Sequence, residues 1–314
     1  PSPRLRRATV GSKFRQSSPP KLEIISILNV EQKSNIVYCY LNGKILPIDE
    51  ARISPQDLGV LRGYGVFEFL RTYNGKPFLL DQHLKRFFGS VKSLNLKIKV
   101  NRPEINAIIK ELITQNRLPE ANIKLVLTGG PSPDGISIVP NASTFYILVN
   151  SRQNQLETFY KNGVKLITHE FQRDFHLTKT TNYITAISLQ DKCKKSGAIE
   201  ILYIYNGQVT ECSRSSFLVF KNNTLIIPKD NILSGITSNL VTKLAKNQST
   251  GGFQVQKRAI LYKELRTASE ALITSTDKEI MPVVKIDDLI IGNGKPGKNT
   301  LQLINSLRDF TSRY

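Results

Sequence analysis

The segment HLTKTTNYITAISLQDKC contains a lysine, Lys179, whose amine could act as a nucleophile. Lys179 stands at the end of an extended segment, just before a helix predicted to start near Thr181 or Asn182. Partial burial and a nearby helix N-terminus both disfavour the ammonium form and release the neutral amine that attacks an aldehyde. The simpler alternative is a solvated surface lysine, because lysine and arginine together number 44 in this chain.

The segment GQVTECSRSSFLVF places a carboxylate, Glu211, at the end of a predicted strand that follows a tight turn. A carboxylate beside a pyridine nitrogen keeps that nitrogen protonated, and the cationic ring then stabilises a carbanion at a neighbouring carbon. The alternative is an edge-strand glutamate that is exposed to solvent.

Three further segments have the donors that a phosphate group requires. Ser234-Gly235-Ile236-Thr237 precedes an amphipathic helix, whose first N–H groups and positive dipole end attract anions. Ser275 and Thr276 follow a predicted strand and add hydroxyl donors, and Arg86 lies on a predicted helix where its guanidinium could bind phosphate in a bidentate manner. The alternative for the first segment is an ordinary helix N-cap.

Several β-hairpins and helices could position these residues. Asn-Gly turns between apolar runs, at residues 42–43, 74–75 and 206–207, predict hairpins, because a type I′ turn requires positive φ at both central residues. The predicted elements up to residue 150 are helices over 81–94 and 103–116 and strands near 122–128 and 143–149. They predict a small α+β domain over residues 36–150, with an antiparallel sheet.

The polar segment 151–163 predicts a linker, and residues 164–314 then form a larger second domain. In that domain a helix is predicted from Asn182 to Lys195, ending before Gly197, and another begins after Gly235. The mixed order of strands and helices argues against a doubly wound fold. The sequence GNGKPG at 292–297 matches a dinucleotide-binding pattern, but the second strand and the acidic residue about 20 positions further on do not follow in the sequence.

The composition sets limits on the class of protein. The net charge is +19, and the first 22 residues are basic without any acid, which predicts a disordered extension over 1–35 or an organellar targeting peptide. Three scattered cysteines favour a reducing compartment, so we expect a cytoplasmic enzyme, or an organellar one if the extension is a targeting peptide. We expect no metal site, no membrane span and no nucleic-acid partner, although a basic nucleic-acid-binding protein is the competing class.

Taken in order, the segments resemble the class IV family of pyridoxal-phosphate enzymes. The resemblance runs from about Tyr40 to Val284 and includes VFEFLRTYNGKPFLLDQHLKRF, TKTTNY, VTECSRSSF, LSGITSNLV and ITSTDKEIMPV. It implies a two-domain α+β fold with a larger pseudo-barrel domain, an active site between the domains, and a homodimer. It also implies a cofactor, pyridoxal 5′-phosphate. The implied roles are the Schiff-base lysine for Lys179, the ring-nitrogen partner for Glu211, the phenolic-oxygen partner for Tyr183, and phosphate binding for Arg86, Gly235, Ile236, Thr237, Ser275 and Thr276.

The subclass rests on weaker signals. The VFEFLRTYNGKPFLLDQHLKRF segment is closer to the D-amino-acid aminotransferases, although Phe67 stands where those enzymes have a tyrosine. Because residues 127–137 carry no basic side chain, we expect the substrate carboxylate to bind Arg62 in LRGYGVF, with Lys124 as the second candidate and Arg214 as the third. The prediction is a D-amino-acid:2-oxo-acid aminotransferase. A branched-chain L-amino-acid aminotransferase and then aminodeoxychorismate lyase are the alternatives.

Overall fold

The computed structural model describes residues 36–247 and 252–314. The predicted basic extension at residues 1–35 therefore lies outside the described residues. Among those residues, no helix combines the length and the apolar character that crossing a membrane requires.

A six-stranded antiparallel sheet occupies the first part of the chain. Its strands are β1 (Tyr38–Leu41), β2 (Lys44–Pro47), β3 (Gly65–Tyr73), β4 (Lys76–Pro77), β5 (Ala121–Thr128) and β6 (Thr144–Ser151), in the order β2-β1-β6-β5-β3-β4. The helices of this region are α1 (Leu58–Arg62), α2 (Leu80–Ser93) and α3 (Arg102–Gln115). Phe87 of α2 and Ile109 of α3 pack against the apolar face of the sheet, where both are fully buried. Burial of that face fixes which side of β3 and β5 points away from the core.

The second sheet is larger and curled. It contains β7 (Val164–Glu170), β8 (Glu200–Tyr205), β9 (Gln208–Cys212), β10 (Ser216–Lys221), β11 (Thr224–Ile227), β12 (Gln254–Lys257), β13 (Ile260–Leu261), β14 (Glu270–Ser275), β15 (Glu279–Ile286) and β16 (Leu289–Ile290). The order is β12-β11-β10-β14-β15-β7-β8-β9-β13, and β16 pairs with β15. The helices are α4 (Glu157–Asn162), α5 (Ile184–Ser188), α6 (Gln190–Lys195), α7 (Ile236–Lys246) and α8 (Lys298–Ser312). With two largely antiparallel sheets and helices outside them, the predicted α+β class is confirmed.

The Asn-Gly turns form the predicted hairpins. Asn42, Asn74 and Asn206 have φ of 46°, 50° and 48°, and the glycine after each also has positive φ. These turns join β1 to β2, β3 to β4 and β8 to β9, each pair being antiparallel. Asparagine tolerates the left-handed region better than most residues, which is why this pair of residues determines the turn so strongly.

Two segments differ from the sequence prediction. The helix predicted over Asn182–Lys195 consists of two short helices, α5 and α6, because Leu189 adopts φ −95° and ψ 2° between them and packs against the buried cluster around Cys193. The predicted linker 151–163 contains α4, whose Phe159 and Tyr160 pack against the core of the curled sheet. Two apolar residues in a six-residue helix give no detectable periodicity. The domain boundaries drawn around this segment stay a prediction.

The GNGKPG segment ends in a helix N-terminus that already has an anionic partner. The Glu270 carboxylate accepts hydrogen bonds from the amides of Asn299 (3.0 Å) and Thr300 (2.7 Å) at the start of α8. A Cβ atom at Gly297 would lie 2.0 Å from Glu270 Cδ, so this glycine permits the close approach of the carboxylate. Glu270 thus occupies the place where a dinucleotide pyrophosphate would bind.

Candidate active site

One cleft of about 530 Å³ lies between the two sheets. Phe67, Phe69 and Tyr146 line it from the six-stranded sheet, and the ends of β9, β10 and β14 line it from the curled sheet. The cleft brings together all of the predicted site residues except Arg62: Arg86, Lys124, Lys179, Tyr183, Glu211, Gly235, Ile236, Thr237, Ser275 and Thr276.

Lys179 is fixed by backbone hydrogen bonds to the first sheet. Its carbonyl accepts from the Phe67 amide (2.9 Å), its own amide donates to Ser90 Oγ (3.1 Å), and Thr180 forms a bridge with Val66. The Nζ atom lies 4.4 Å from the centre of the Phe67 ring. In the described part of the chain no carboxylate forms an ion pair with it. Burial, followed by the positive charge of Arg86, lowers the pKa of Lys179 to about 8.

The helix N-terminus expected beside Lys179 makes no such contribution. α5 begins only at Ile184 and has five residues. The lowered pKa therefore follows from the desolvated position and from the neighbouring guanidinium, of which the sequence indicated only the first.

Glu211 is held in the cleft by two donors. Its Oε1 accepts from Arg173 Nε at 2.7 Å, and its Oε2 accepts from the Leu233 amide at 2.9 Å. The same guanidinium donates to the carbonyls of Thr178 and His176, so Arg173 connects Glu211 to the loop that carries Lys179. Sequence reasoning missed Arg173, because one arginine in the irregular segment FQRDFH shows no periodicity or motif.

The start of α7 presents free N–H groups to the cleft. The amides of Ile236 and Thr237 are in the first turn, where no intrahelical acceptor exists, and no acceptor lies opposite them in the described part of the chain. Gly235 allows this approach, since a Cβ atom there would lie 2.4 Å from Ser216 Oγ. Thr276, at the β14–β15 turn, also lines the cleft, and its hydroxyl donates to the Phe69 carbonyl at 3.4 Å.

Arg86 is oriented by a buried carboxylate that sequence reasoning also missed. Glu68 Oε2 accepts from Arg86 Nε at 2.9 Å, and Glu68 Oε1 accepts from Arg86 Nη2 at 2.6 Å and lies 3.0 Å from His83 Nδ1. The third guanidinium nitrogen donates to the Ser234 carbonyl at 3.1 Å, which connects α2 to the segment before α7. An acidic residue in the alternating strand VFEFLR resembled an ordinary exposed position, and only the tertiary fold shows that it is fully buried.

Tyr183 closes one side of the cleft. Its ring lies edge-on to Phe67 at 5.6 Å between centroids. Burial raises the pKa of Tyr183 to about 12, against the opposing positive charge of Arg173. The phenol therefore keeps its proton at neutral pH and can donate a hydrogen bond.

Arg62 lies outside the cleft of its own chain. It is the last residue of α1, it is exposed, and its Nη1 donates to the Leu61 carbonyl. Lys124 and Arg214, the other two predicted carboxylate partners, both line the cleft and are exposed in it. In the part of the chain that the structure describes, neither of these two side chains forms an ion pair.

The donor set matches the functional groups of pyridoxal phosphate. An amine with a lowered pKa faces the cleft for the aldehyde, Glu211 for the ring nitrogen, a protonated phenol for the ring oxygen, and unpaired helix amides with a guanidinium for the phosphate. Only the last of these groups carries several donors, so the geometry gives the phosphate a single position.

Comparison with known proteins agrees with this arrangement. The model of the family "Amino-transferase class IV" matches residues 65–286. A D-alanine aminotransferase of Bacillus licheniformis is 29% identical over 275 residues, which cover 85% of this chain and 95% of the relative. A putative branched-chain-amino-acid aminotransferase of Methanocaldococcus jannaschii is 31% identical over 283 residues, covering 88% of this chain and 96% of the relative.

A solved structure shows the same fold at similar coverage. The branched-chain amino acid aminotransferase of the organism abbreviated T.th., with pyridoxamine 5′-phosphate, superimposes with a TM-score of 0.82 at 27% identity, covering 89% of this chain and 95% of that one. The expected type IV fold is thereby confirmed. Since the family match extends over well more than half of the chain, this protein belongs to the class IV aminotransferases, an enzyme family that depends on pyridoxal phosphate.

Proposed function

We propose that the protein transfers an amino group between a D-amino acid and a 2-oxo acid. The observation that carries the transaminase function is the convergence of Lys179, Glu211 and the α7 N-terminus on one cleft. The D preference rests on the VFEFLRTYNGKPFLLDQHLKRF segment and on relatives named D-alanine aminotransferase. The relative named as a branched-chain enzyme has comparable identity, so an L-specific enzyme is the second candidate and aminodeoxychorismate lyase the third.

The residues around the cleft have separate tasks in this reaction. When bound, pyridoxal phosphate supplies an aldehyde and an electron-withdrawing pyridine ring. Lys179 Nζ, neutral in part at pH 7–8, both bonds the aldehyde and later moves the proton at the substrate Cα. Glu211 holds a proton at the ring nitrogen, Tyr183 donates to the ring oxygen, and Arg86 with the amides of α7 binds the phosphate.

We also propose a homodimer in which Arg62 of one copy reaches the cleft of the other. α1 and the loop after β5 adjoin, since a Cβ atom at Gly135 would lie 3.4 Å from Arg62 Nη2. Around this contact Val60, Ile136 and Ile138 are 64%, 74% and 51% exposed. Apolar side chains of this exposure beside a binding cleft favour contact with a second chain. Because Arg62 lies outside its own cleft, it can bind a substrate carboxylate only in such an assembly.

The stereochemical proposal is tested with single substrates. The purified holoenzyme is mixed with D-alanine or L-leucine and 2-oxoglutarate, and formation of the new amino acid is followed for each. Transfer from D-alanine with little from L-leucine supports the D-specific enzyme. The reverse result gives the branched-chain enzyme, and pyruvate release from aminodeoxychorismate without any amino transfer gives the lyase.

The carboxylate proposal is tested with matched alanine variants of Arg62 and Lys124. If Arg62 binds the carboxylate, Arg62→Ala raises KM for amino acids by about thirtyfold or more, since an unpaired desolvated charge costs about 2–4 kcal/mol, and leaves amines without a carboxylate nearly unaffected. If only Lys124→Ala has this effect, Lys124 is the partner. An equal loss for both substrate types in Arg62→Ala contradicts the proposal for Arg62.

A further inference from the structure

A buried ion pair lies beneath the cleft, behind two of the segments that line it. One segment is Ser213–Ser216, at the end of β9, and the other is the β14–β15 turn with Ser275 and Thr276. Lys278 Nζ lies 3.3 Å from Glu200 Oε2, and these side chains are 4% and 0% exposed. Neither residue lines the cleft itself.

Glu200 connects this pair to the first segment. Its Oε1 accepts from Ser213 Oγ at 3.3 Å and from the Arg214 amide, and its Oε2 accepts from Ser215 Oγ at 2.8 Å. One carboxylate therefore receives three hydrogen bonds from the segment that follows Glu211. The Ser213 amide is also bonded to the Ile201 carbonyl, at 2.9 Å, so the segment has its own backbone support.

Lys278 connects the pair to the second segment. It follows Thr276 by two residues, its Nζ lies 3.6 Å from Asp277 Oδ1, and the Lys278 amide donates to Ser275 Oγ at 3.2 Å. From outside, Tyr160 donates to the Lys278 carbonyl at 3.1 Å. The turn that presents Thr276 is thus fixed to the same carboxylate that fixes Ser213–Ser215.

Stability alone does not account for two charges at this position. Desolvation of a buried ion pair offsets most of its Coulomb energy, and well-packed apolar residues of similar volume are often as stabilising. What the pair provides in addition is a defined geometry, because the carboxylate has directional contacts to both segments.

We propose that Glu200 and Lys278 are positioning residues that hold the two segments at the spacing which the cofactor phosphate requires. The inference rests on the proposed function, since it assigns Thr276 and its turn to the phosphate. The pair acts through the segments and does not contact the cofactor. Loss of either partner should weaken binding of pyridoxal phosphate more than binding of pyridoxal, which lacks the phosphate.

The test measures dissociation constants of both compounds for wild type, Lys278→Met and Glu200→Gln. Coupled residues of one network contribute enough that we expect about a tenfold weaker affinity for pyridoxal phosphate in Lys278→Met. The affinity for pyridoxal should change little, and Lys278→Arg should restore most of the loss. Lys285→Met is the control, because Lys285 lies on β15 in an exposed pair with Asp288. It should leave both affinities unchanged.

Glu200→Gln separates positioning from simple attraction. If Lys278 acted only by its charge on the anionic phosphate, removal of the Glu200 charge would tighten binding, whereas positioning predicts weaker binding. Glu200→Gln is nearly isosteric, so it tests the proposal even if Lys278→Met fails to fold.

Three results would overturn the inference: unchanged affinity in Lys278→Met, tighter binding in Glu200→Gln, or equal losses for the two compounds. In each case a wild-type protein that binds pyridoxal phosphate and transfers amino groups leaves the proposed function intact. A wild-type protein that does not bind the cofactor removes both.

Discussion

Replacement of the buried Glu68 by glutamine tests how Arg86 is held for the phosphate. Glu68 is fully buried and binds both Nε and Nη2 of Arg86, whose side chain is 14% exposed. In Glu68→Gln the guanidinium loses its counter-charge, and one of its donors faces an amide nitrogen. Breaking a buried pair costs about 3–5 kcal/mol, and the remaining solvent access of Arg86 places this case near the lower end, at about 3 kcal/mol. For a chain of this length we expect a Tm lower by about 6 °C.

The pH dependence of this loss has a definite sign. Burial alone would raise the pKa of Glu68, but the charge of Arg86 and the hydrogen bonds from His83 and Arg86 outweigh it and hold that pKa well below its usual range. A lowered carboxyl pKa contributes stability above the unfolded-state value, about 4.3, and this contribution is lost as the pH falls towards the folded-state value. The stability difference between wild type and Glu68→Gln should be constant from pH 7 to about pH 5 and should shrink below about pH 4.

The assay is urea unfolding of the apoprotein across this pH range, with cofactor affinity measured at pH 7. Glu120→Gln is the matched control, because Glu120 pairs with Arg152 at 3.1 Å but is 47% exposed, and it should cost less than about 1 kcal/mol. Cofactor affinity should fall about tenfold or more in Glu68→Gln alone, as expected when a charged hydrogen bond of about 1.5–3 kcal/mol is weakened. Equal stability losses in the two variants, or a loss that does not shrink in acid, would refute the reasoning.

Three further predictions concern residues in contact with the cofactor. Glu211→Gln should retain the cofactor but lower kcat by about 10² or more, because charge on the ring matters mainly in the transition state; a near-wild-type rate would show another partner for the ring nitrogen. Since the pKa of Lys179 is lowered to about 8, capture of pyridoxal phosphate by the apoprotein should accelerate as the pH rises, with a midpoint near 8; a midpoint near 10 contradicts the buried environment. Arg86→Ala and Thr237→Ala should each weaken cofactor binding by about ten- to a hundredfold while turnover at saturating cofactor changes less, and an unchanged affinity in Arg86→Ala would exclude that residue from the phosphate site.

Local signals predicted much of the fold. The three Asn-Gly hairpins, helices α2 and α3 and the start of α7 lie where turn residues and apolar periodicity indicated. Each depends on contacts within a few residues, so the information lies in a short stretch of sequence. α4 and the break at Leu189 were wrong or missed, because packing against the curled sheet decides both.

The site residues divide along the same line. Lys179, Glu211 and the Gly235–Thr237 segment stand in motifs whose order the sequence displays, and the sequence by itself determined the family and the cofactor. Glu68, Arg173 and the pair of Glu200 and Lys278 show no local pattern. Their partners lie 18, 38 and 78 residues away along the chain. Only the tertiary structure brings such charges together and buries them. Burial makes an ion pair strong and directional, and no neighbouring residue in the sequence indicates it.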